Sequence, residues 1–95
     1  MRKKRLVGGN SLVEQATQGL QNVRHAVEAA AGSLADVVAL RLYVVNYRPA
    51  GANSLGAVLR EFFPSANPPT RTWVGVSSLA VAGFLIEIEA VAVVE

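Results

Sequence analysis

The chain has 95 residues, which is enough for one domain with a single core. Apolar residues make up 52% and charged residues only 17% of it, which excludes an intrinsically disordered chain. Four of the nine basic residues lie in Arg2–Arg5, so residues 6–95 carry five basic and seven acidic groups and a net charge of −2. A nucleic-acid-binding face needs basic groups spread across the fold and is therefore disfavoured. We expect residues 1–5 to be a disordered basic segment and residues 6–95 to form a single domain.

The chain contains no cysteine, and His25 is its one histidine. This excludes disulfides, thiol nucleophiles and metal sites built from cysteine or clustered histidine, and it fits a reducing cytoplasm. The longest uncharged apolar stretch, near Leu79–Ile86, is far shorter than the roughly 20 residues that span a membrane. We therefore expect a cytoplasmic protein with no metal site and no membrane span.

The first predicted element is a helix over Leu12–Ala31. Ser11 and Glu14 have the spacing of a capping box, and apolar residues then recur at intervals of three and four. Gly32 is predicted to end this helix, because glycine is the residue type found most often just beyond a helix end.

A strand is predicted over Val37–Tyr47, where β-branched and aromatic residues are concentrated. Alternation assigns its residues to two faces, one with Val38, Leu40, Leu42 and Val44 and the other with Val37, Ala39, Arg41, Tyr43 and Val45. Both faces are largely apolar, so both are expected to be covered. We expect helices to cover one face and a neighbouring subunit to cover the other.

The second half of the chain is predicted to contain one helix and two strands. Helical spacing indicates a helix over Asn53–Phe63, and the proline-rich segment Pro64–Pro69 then leads to a strand that begins near Thr70. This strand and a last strand from about Phe84 are predicted to form a β-hairpin with its turn within Leu79–Gly83. The order helix, strand, helix, strand, strand favours an α+β fold with both helices on one face of a mixed sheet.

Three charged residues stand out on these apolar strands, namely Arg71, Glu87 and Glu89. An arginine at the start of a strand is suited to bind a carboxylate with two parallel hydrogen bonds. A carboxylate on a mostly buried sheet face is suited to activate a water molecule. From spacing alone, a structural ion pair or a charge that faces solvent is the favoured interpretation.

The predicted hairpin also fixes a distance between two of these residues. A turn centred on Val81 pairs Arg71 with Val91 and Glu87 with Gly75, which places Arg71 and Glu87 about 13 Å apart along the strand. That separation is too large for one small ligand within one chain. If both residues act on one ligand, they come from different subunits.

Several segments resemble the RidA/YjgF/YER057c/UK114 family. Asn67–Thr72, followed by residues 74–76, resembles its "NPPxRxxVxV" segment, and Leu85–Val93 resembles its ending "lvEIEAiAv". The helix and turn from Gln15 to Val38 and the Phe-Phe-Pro sequence at residues 62–64 resemble two further motifs in the same order. The resemblance extends over nearly the whole chain.

This resemblance implies a YjgF-like (chorismate-mutase-like) fold that assembles as a homotrimer around a barrel-like core, with ligand clefts between subunits. It implies a cofactor-free hydrolytic deaminase of reactive enamine and imine acids of the 2-aminoacrylate type, similar to 2-iminobutanoate/2-iminopropanoate deaminases. Arg71 then binds the carboxylate of the imine or of a related 2-keto acid, and Glu87 positions the hydrolytic water. Thr72, Trp73 and Gly56 are expected to line the cleft.

The sequence departs from the family pattern at three places. Family members usually have a longer region before Leu6, with further cleft motifs, and many have asparagine at the position of Gly56 and cysteine at the position of Trp73. The bulk of Trp73 would narrow the cleft. These departures keep open an alternative function, a non-catalytic trimer that binds a small carboxylate or has a regulatory role. The ribonuclease activity attributed to some relatives is disfavoured by the net negative charge of residues 6–95.

Overall fold

The structure, a computed structural model, describes residues 11–95. Its elements are α1 (Leu12–Ala29), β1 (Val37–Val45), α2 (Ala52–Phe62), β2 (Thr70–Val76) and β3 (Ile86–Ala92), with short 3₁₀ turns at Leu34–Asp36 and Pro49–Gly51. The basic segment predicted at residues 1–5 lies outside the described residues. The α+β class and the two helices packed on one mixed sheet agree with the sequence prediction.

The order of strands in the sheet is β2-β1-β3. β1 pairs in parallel with β2 and antiparallel with β3, so the predicted hairpin between the last two strands is wrong. A parallel pair requires a crossover connection, and α2 supplies it between β1 and β2. The connector between β2 and β3, residues 77–85, is longer than the roughly 2–5 residues of an ordinary hairpin loop. It carries the chain past the end of β1 to the opposite edge of the sheet.

The first residues of β1 do not alternate as predicted. Val37 is buried with 4% exposure, whereas Val38 is 47% exposed. The pairing with β3 shifts between Val37 and Ala39, which is a β-bulge. A bulge inserts one extra residue and so exchanges the faces of the side chains on one side of it.

The core lies between the helices and one face of the sheet. Its most completely buried side chains come from both helices and from β1: Leu20, Leu42, Val44, Leu55 and Leu59. Burial of each such side chain contributes about 1.5–3 kcal/mol, so these few residues dominate the stability of the fold.

On the other face of the sheet lies no helix formed by residues 11–95, and we call it the open face. It consists of alternate residues of β1 and of the residues paired with them: Ala39, Arg41, Tyr43, Val45, Thr70, Thr72, Val74, Val76, Glu87, Glu89 and Val91. Val91 is 58% exposed here, and Val93, just beyond β3, is 59% exposed. A partly apolar face of this kind is typical of a surface that contacts another protein chain.

α1 ends earlier than the prediction, at Ala29, in a Schellman arrangement. The Ala31 N–H donates to the Glu28 carbonyl (3.0 Å), and the Gly32 N–H donates to the Val27 carbonyl (2.9 Å). Ala31, not Gly32, adopts the left-handed conformation, with φ of 65°. Gly32 is required for space instead, because a Cβ there would lie 2.7 Å from Val94 Cγ2 and 2.8 Å from Asp36 Oδ2.

Two neighbouring substitutions should therefore have opposite effects on stability. Ala31→Gly removes a Cβ from a left-handed residue and should raise the free energy of unfolding by about 1 kcal/mol. Gly32→Ala forces a methyl group into an occupied space and should lower the free energy of unfolding by about 1–3 kcal/mol. Urea denaturation at a fixed protein concentration measures both. A loss of stability in the Ala31→Gly protein would contradict this account of the helix end.

Candidate functional site

Arg71 is the second residue of β2, an edge strand. It pairs with Leu40, whose side chain is buried under the helices, so Arg71 lies on the helix-covered side of the sheet. Arg71 is partly buried, and no side chain among residues 11–95 forms an ion pair or hydrogen bond with its guanidinium group. An arginine in this state has its planar set of N–H donors free for a carboxylate.

The predicted cleft residues fall on different sides of the sheet. Trp73 pairs with Leu42 and lies on the same side as Arg71, where its ring centroid is 5.7 Å from that of Tyr47. Thr72 lies on the open face. Gly56 is buried in α2, and a Cβ there would be 3.4 Å from the Arg60 Nη1 atom. The structure therefore brings Arg71 and Trp73 to one side and places Thr72 on the other.

The predicted register of the two glutamates is corrected by the strand order. Glu87 pairs with Tyr43 of β1, whereas the hairpin prediction paired it with Gly75 of β2. Glu89 pairs with Arg41 of β1. Both carboxylates lie exposed on the open face. Glu87 has no hydrogen-bond or ion-pair partner within the described part of the chain.

Glu89, by contrast, belongs to a polar network on the open face. The Tyr43 hydroxyl donates to Glu89 Oε1 at 2.6 Å, and Arg41 Nη1 lies 3.5 Å from the same oxygen. Hydrogen bonding and charge interaction with Tyr43, followed by the charge of Glu89, raise the pKa of Arg41 above its ordinary value. Both partners of the ion pair are more than half exposed, so the pair contributes little to the stability of a single copy.

Arg41 and Tyr43 were not among the predicted site residues. A signal for them exists in the sequence, since they are the polar members of one face of an otherwise apolar strand. Their spacing of two residues places them side by side on that face. Their connection to Glu89 depended on the strand order, which the sequence pattern did not reveal.

Arg71 and Glu87 lie far apart in one copy of the chain. They occupy the two edge strands, with β1 between them, and they lie on opposite faces of the sheet. Two strand spacings across the sheet and three residues along it place their Cα atoms about 14 Å apart. The predicted separation is therefore retained, although it arises across the sheet and not along one hairpin.

Four cavities formed by residues 11–95 adjoin the sheet, and neither Arg71 nor Glu87 lines any of them. One of about 510 Å³ lies between the end of α2 and the loop at residues 64–69, and no ionisable side chain lines it. Another of about 170 Å³ lies on the open face beside Arg41, Thr72 and Glu89. Neither contains Arg71 or Glu87, so neither combines the two predicted functional groups.

The described residues contain no group of three or more histidine, cysteine, aspartate or glutamate side chains placed to hold a metal ion. Over the same part of the chain, neither helix has the length and apolar character that crossing a membrane requires.

Comparison with known sequences identifies relatives over almost the whole chain. The sequence profile of the family described as "Endoribonuclease L-PSP" matches residues 1–94. A curated protein of Dermatophagoides farinae named 2-iminobutanoate/2-iminopropanoate deaminase is 33% identical over 82 residues, which cover 86% of this chain and 61% of that protein. The chain thus spans less than two thirds of the length of this curated relative.

Solved structures share the fold. A Rid-family protein of unknown function, YyfB from Yersinia pestis, superimposes with a TM-score of 0.88 at 41% identity, over 95% of this chain and 68% of that one. Rv2704 of Mycobacterium tuberculosis, described as a YjgF/YER057c/UK114 member, superimposes with a TM-score of 0.81 at 32% identity, over 90% of this chain and 70% of that one. RidA of Psychrobacter sp. PAMC 21119 superimposes with a TM-score of 0.78 at 30% identity, over 88% of this chain and 65% of that one. The chain therefore belongs to the endoribonuclease L-PSP family, the Rid/YjgF/YER057c/UK114 group that its motifs resemble.

Proposed function

We propose that the protein is a hydrolytic deaminase of reactive enamine and imine acids, with Arg71 and Glu87 acting in clefts between the copies of a homotrimer. One observation carries this proposal: each of these two residues is free of partners within the described part of the chain, and they lie on opposite faces of one sheet. The name of the 33% identical relative supports the reaction class.

The two residues divide the chemistry between them. Arg71 holds the substrate carboxylate through two N–H donors, which fixes the adjacent C=N carbon. Glu87 accepts a proton from water as the oxygen bonds to that carbon, and the C=N electron pair moves to nitrogen. Glu87 returns that proton to nitrogen, which gives the neutral carbinolamine, and then transfers the carbinolamine hydroxyl proton to the same nitrogen as the C–N bond breaks. Ammonia leaves and the C=O bond forms, so one imine acid and one water yield one 2-keto acid and one ammonia.

A second copy of the chain is needed for this arrangement. Within one copy, the sheet itself separates the Arg71 guanidinium from the Glu87 carboxylate. The open face that carries Glu87 is partly apolar. We propose that a neighbouring copy covers this face and places its own Arg71 beside Glu87. The proposed site is therefore shared between copies, with Arg71 from one and Glu87 from another.

An alternative function is a non-catalytic trimer that binds a small carboxylate. The position of Trp73 favours it, because its ring lies on the same side of β2 as Arg71 and packs against Tyr47, which restricts the space beside the guanidinium. We do not propose a nucleic-acid substrate. Residues 6–95 have a net negative charge, and Arg41 is paired with Glu89 while Arg24 stacks on Phe62.

Mixing two inactive variants tests the shared site. Arg71→Ala and Glu87→Gln chains are refolded together, so that some clefts receive an intact Arg71 from one copy and an intact Glu87 from the other. Random mixing in a cyclic assembly should restore about a quarter of the wild-type activity. The assay generates 2-aminoacrylate with a dehydratase and follows the release of pyruvate. Light scattering should give about three times the 10.0 kDa mass of the chain.

The control mixes Arg71→Ala with the Arg71→Ala/Glu87→Gln double variant, in which every cleft lacks Arg71, and it should show no recovery. Absence of recovery in the test mixture, with an active wild type, would place both residues in one copy and contradict the shared site. A wild-type protein that binds 2-keto acids without accelerating hydrolysis would favour the alternative function.

A further inference from the structure

Gln15, on the first turn of α1, is the only buried polar or charged side chain among residues 11–95, with 7% exposure. Both the N–H donor and the carbonyl oxygen of its side-chain amide form hydrogen bonds with the backbone of the connector that leads into β3. The Nε2 group donates to the Gly83 carbonyl at 3.0 Å, and Oε1 accepts the Leu85 N–H at 2.8 Å. Among the described side chains, no other forms a hydrogen bond with the backbone of residues 77–85.

Leu85 joins this contact to the sheet. While its N–H is held by Gln15, its carbonyl accepts the Val45 N–H at 2.9 Å. One residue therefore connects α1 to the end of β1. The preceding Gly83 has φ of 92°, a conformation suited to glycine, so the chain turns sharply immediately before this point.

This contact lies directly before the start of β3. β3 starts at Ile86, directly after Leu85, and Glu87 follows one residue later. Because successive strand residues point to opposite faces, a slip of one residue would turn Glu87 to the helix-covered side. The nine-residue connector is long enough to permit such a slip unless its end is held.

We propose that Gln15 is a positioning residue for Glu87: its bidentate contact with Gly83 and Leu85 holds the start of β3 and thereby keeps the Glu87 carboxylate on the open face. The catalytic part of this inference rests on the proposed deaminase function, whereas the structural part does not. Gln15 lies in the helix layer and acts through the backbone of the connector.

Hydrogen exchange tests the structural part. Gln15→Met has a similar length but loses the hydrogen bonds to Gly83 and Leu85. Gln18→Met is the matched control, because within residues 11–95 the Gln18 side chain bonds only to Asn22 on the same helix (3.0 Å). In Gln15→Met we expect the Val45 amide, which bonds to Leu85, to exchange about tenfold faster or more. The Asn46 amide bonds to Val76 of β2 and serves as an internal reference that should not change. Equal exchange at Val45 in the wild type and Gln15→Met would overturn the proposal.

Kinetics test the link to Glu87. Gln15→Met should lower kcat for imine hydrolysis about tenfold or more while the affinity for a 2-keto acid stays within about twofold, because Arg71 lies on a different strand. In a Glu87→Gln background the same substitution should have almost no further effect. Equal losses of kcat in both backgrounds, or a parallel loss of keto-acid affinity, would overturn the positioning role.

The Asn46 amide also guards against a general loss of folding. Global destabilisation would speed exchange at both Val45 and Asn46, whereas loss of the Gln15 contact should speed exchange at Val45 and leave Asn46 unchanged. If the wild type shows no hydrolysis, the proposed function fails, and the exchange of Val45 against Asn46 still decides whether Gln15 holds the start of β3.

Discussion

Glu87→Gln should slow imine hydrolysis by about 10²–10⁴-fold, the usual cost of removing a general base. The substitution is nearly isosteric and the side chain is exposed, so the fold and the assembly should be retained. Binding of a 2-keto acid should change little, because in the proposed site the carboxylate contact comes from the Arg71 of another copy. The pyruvate-release assay gives the rate, and calorimetry gives the affinity.

Glu89→Gln is the matched control for this experiment. Glu89 lies on the same strand and the same face, but its carboxylate already accepts the Tyr43 hydroxyl and lies close to Arg41. We expect its removal to lower the rate by less than about tenfold and to act mainly through the arrangement of the open face. Equal acceleration by the wild type and Glu87→Gln would exclude Glu87 as the base and make Glu89 the next residue to test.

Arg71→Lys should weaken binding of small 2-keto acids by about 30–150-fold. Lysine keeps the charge but loses the planar pair of donors, and a bidentate charged contact is worth about 2–3 kcal/mol. Titration calorimetry measures the affinity, and light scattering checks that the assembly survives. Arg24→Lys is the control, since the Arg24 guanidinium lies over the Phe62 ring, 4.9 Å from its centroid, and has no proposed ligand role. Unchanged affinity in Arg71→Lys would contradict the carboxylate-binding role.

The elements of this protein were predictable from the sequence because each depends on residues close together in the chain. The capping spacing of Ser11 and Glu14 predicted the start of α1, and Ser11 Oγ does accept the Glu14 N–H at 3.2 Å. The prolines after Phe63 predicted the loop before β2. Periodicity of this kind is set by the geometry of one helix or strand and requires no knowledge of its neighbours. The family motifs also lie within single elements, and the family assignment agrees with them.

The order of the strands was not predictable in this way. β2 and β3 have the same alternating pattern whether they pair with each other or on opposite sides of β1, because alternation reports which face is buried and not which strand is adjacent. The hairpin was the simpler prediction, but the chain satisfies the crossover rule for the parallel pair of β1 and β2 and sends β3 to the far edge. Because β3 lies beside β1 and not beside β2, Glu87 and Glu89 pair with residues of β1.

The chain's own sequence thus determined its class, its helices and strands, its family and the identity of the candidate residues Arg71 and Glu87. Tertiary structure alone decided which residues meet. The bulge that exchanges Val37 and Val38 exists only against β3. The contacts of Gln15 join residues 68 and 70 positions apart. Such contacts depend on the whole folded chain, because hydrogen bonds between distant segments leave no periodic pattern in either segment.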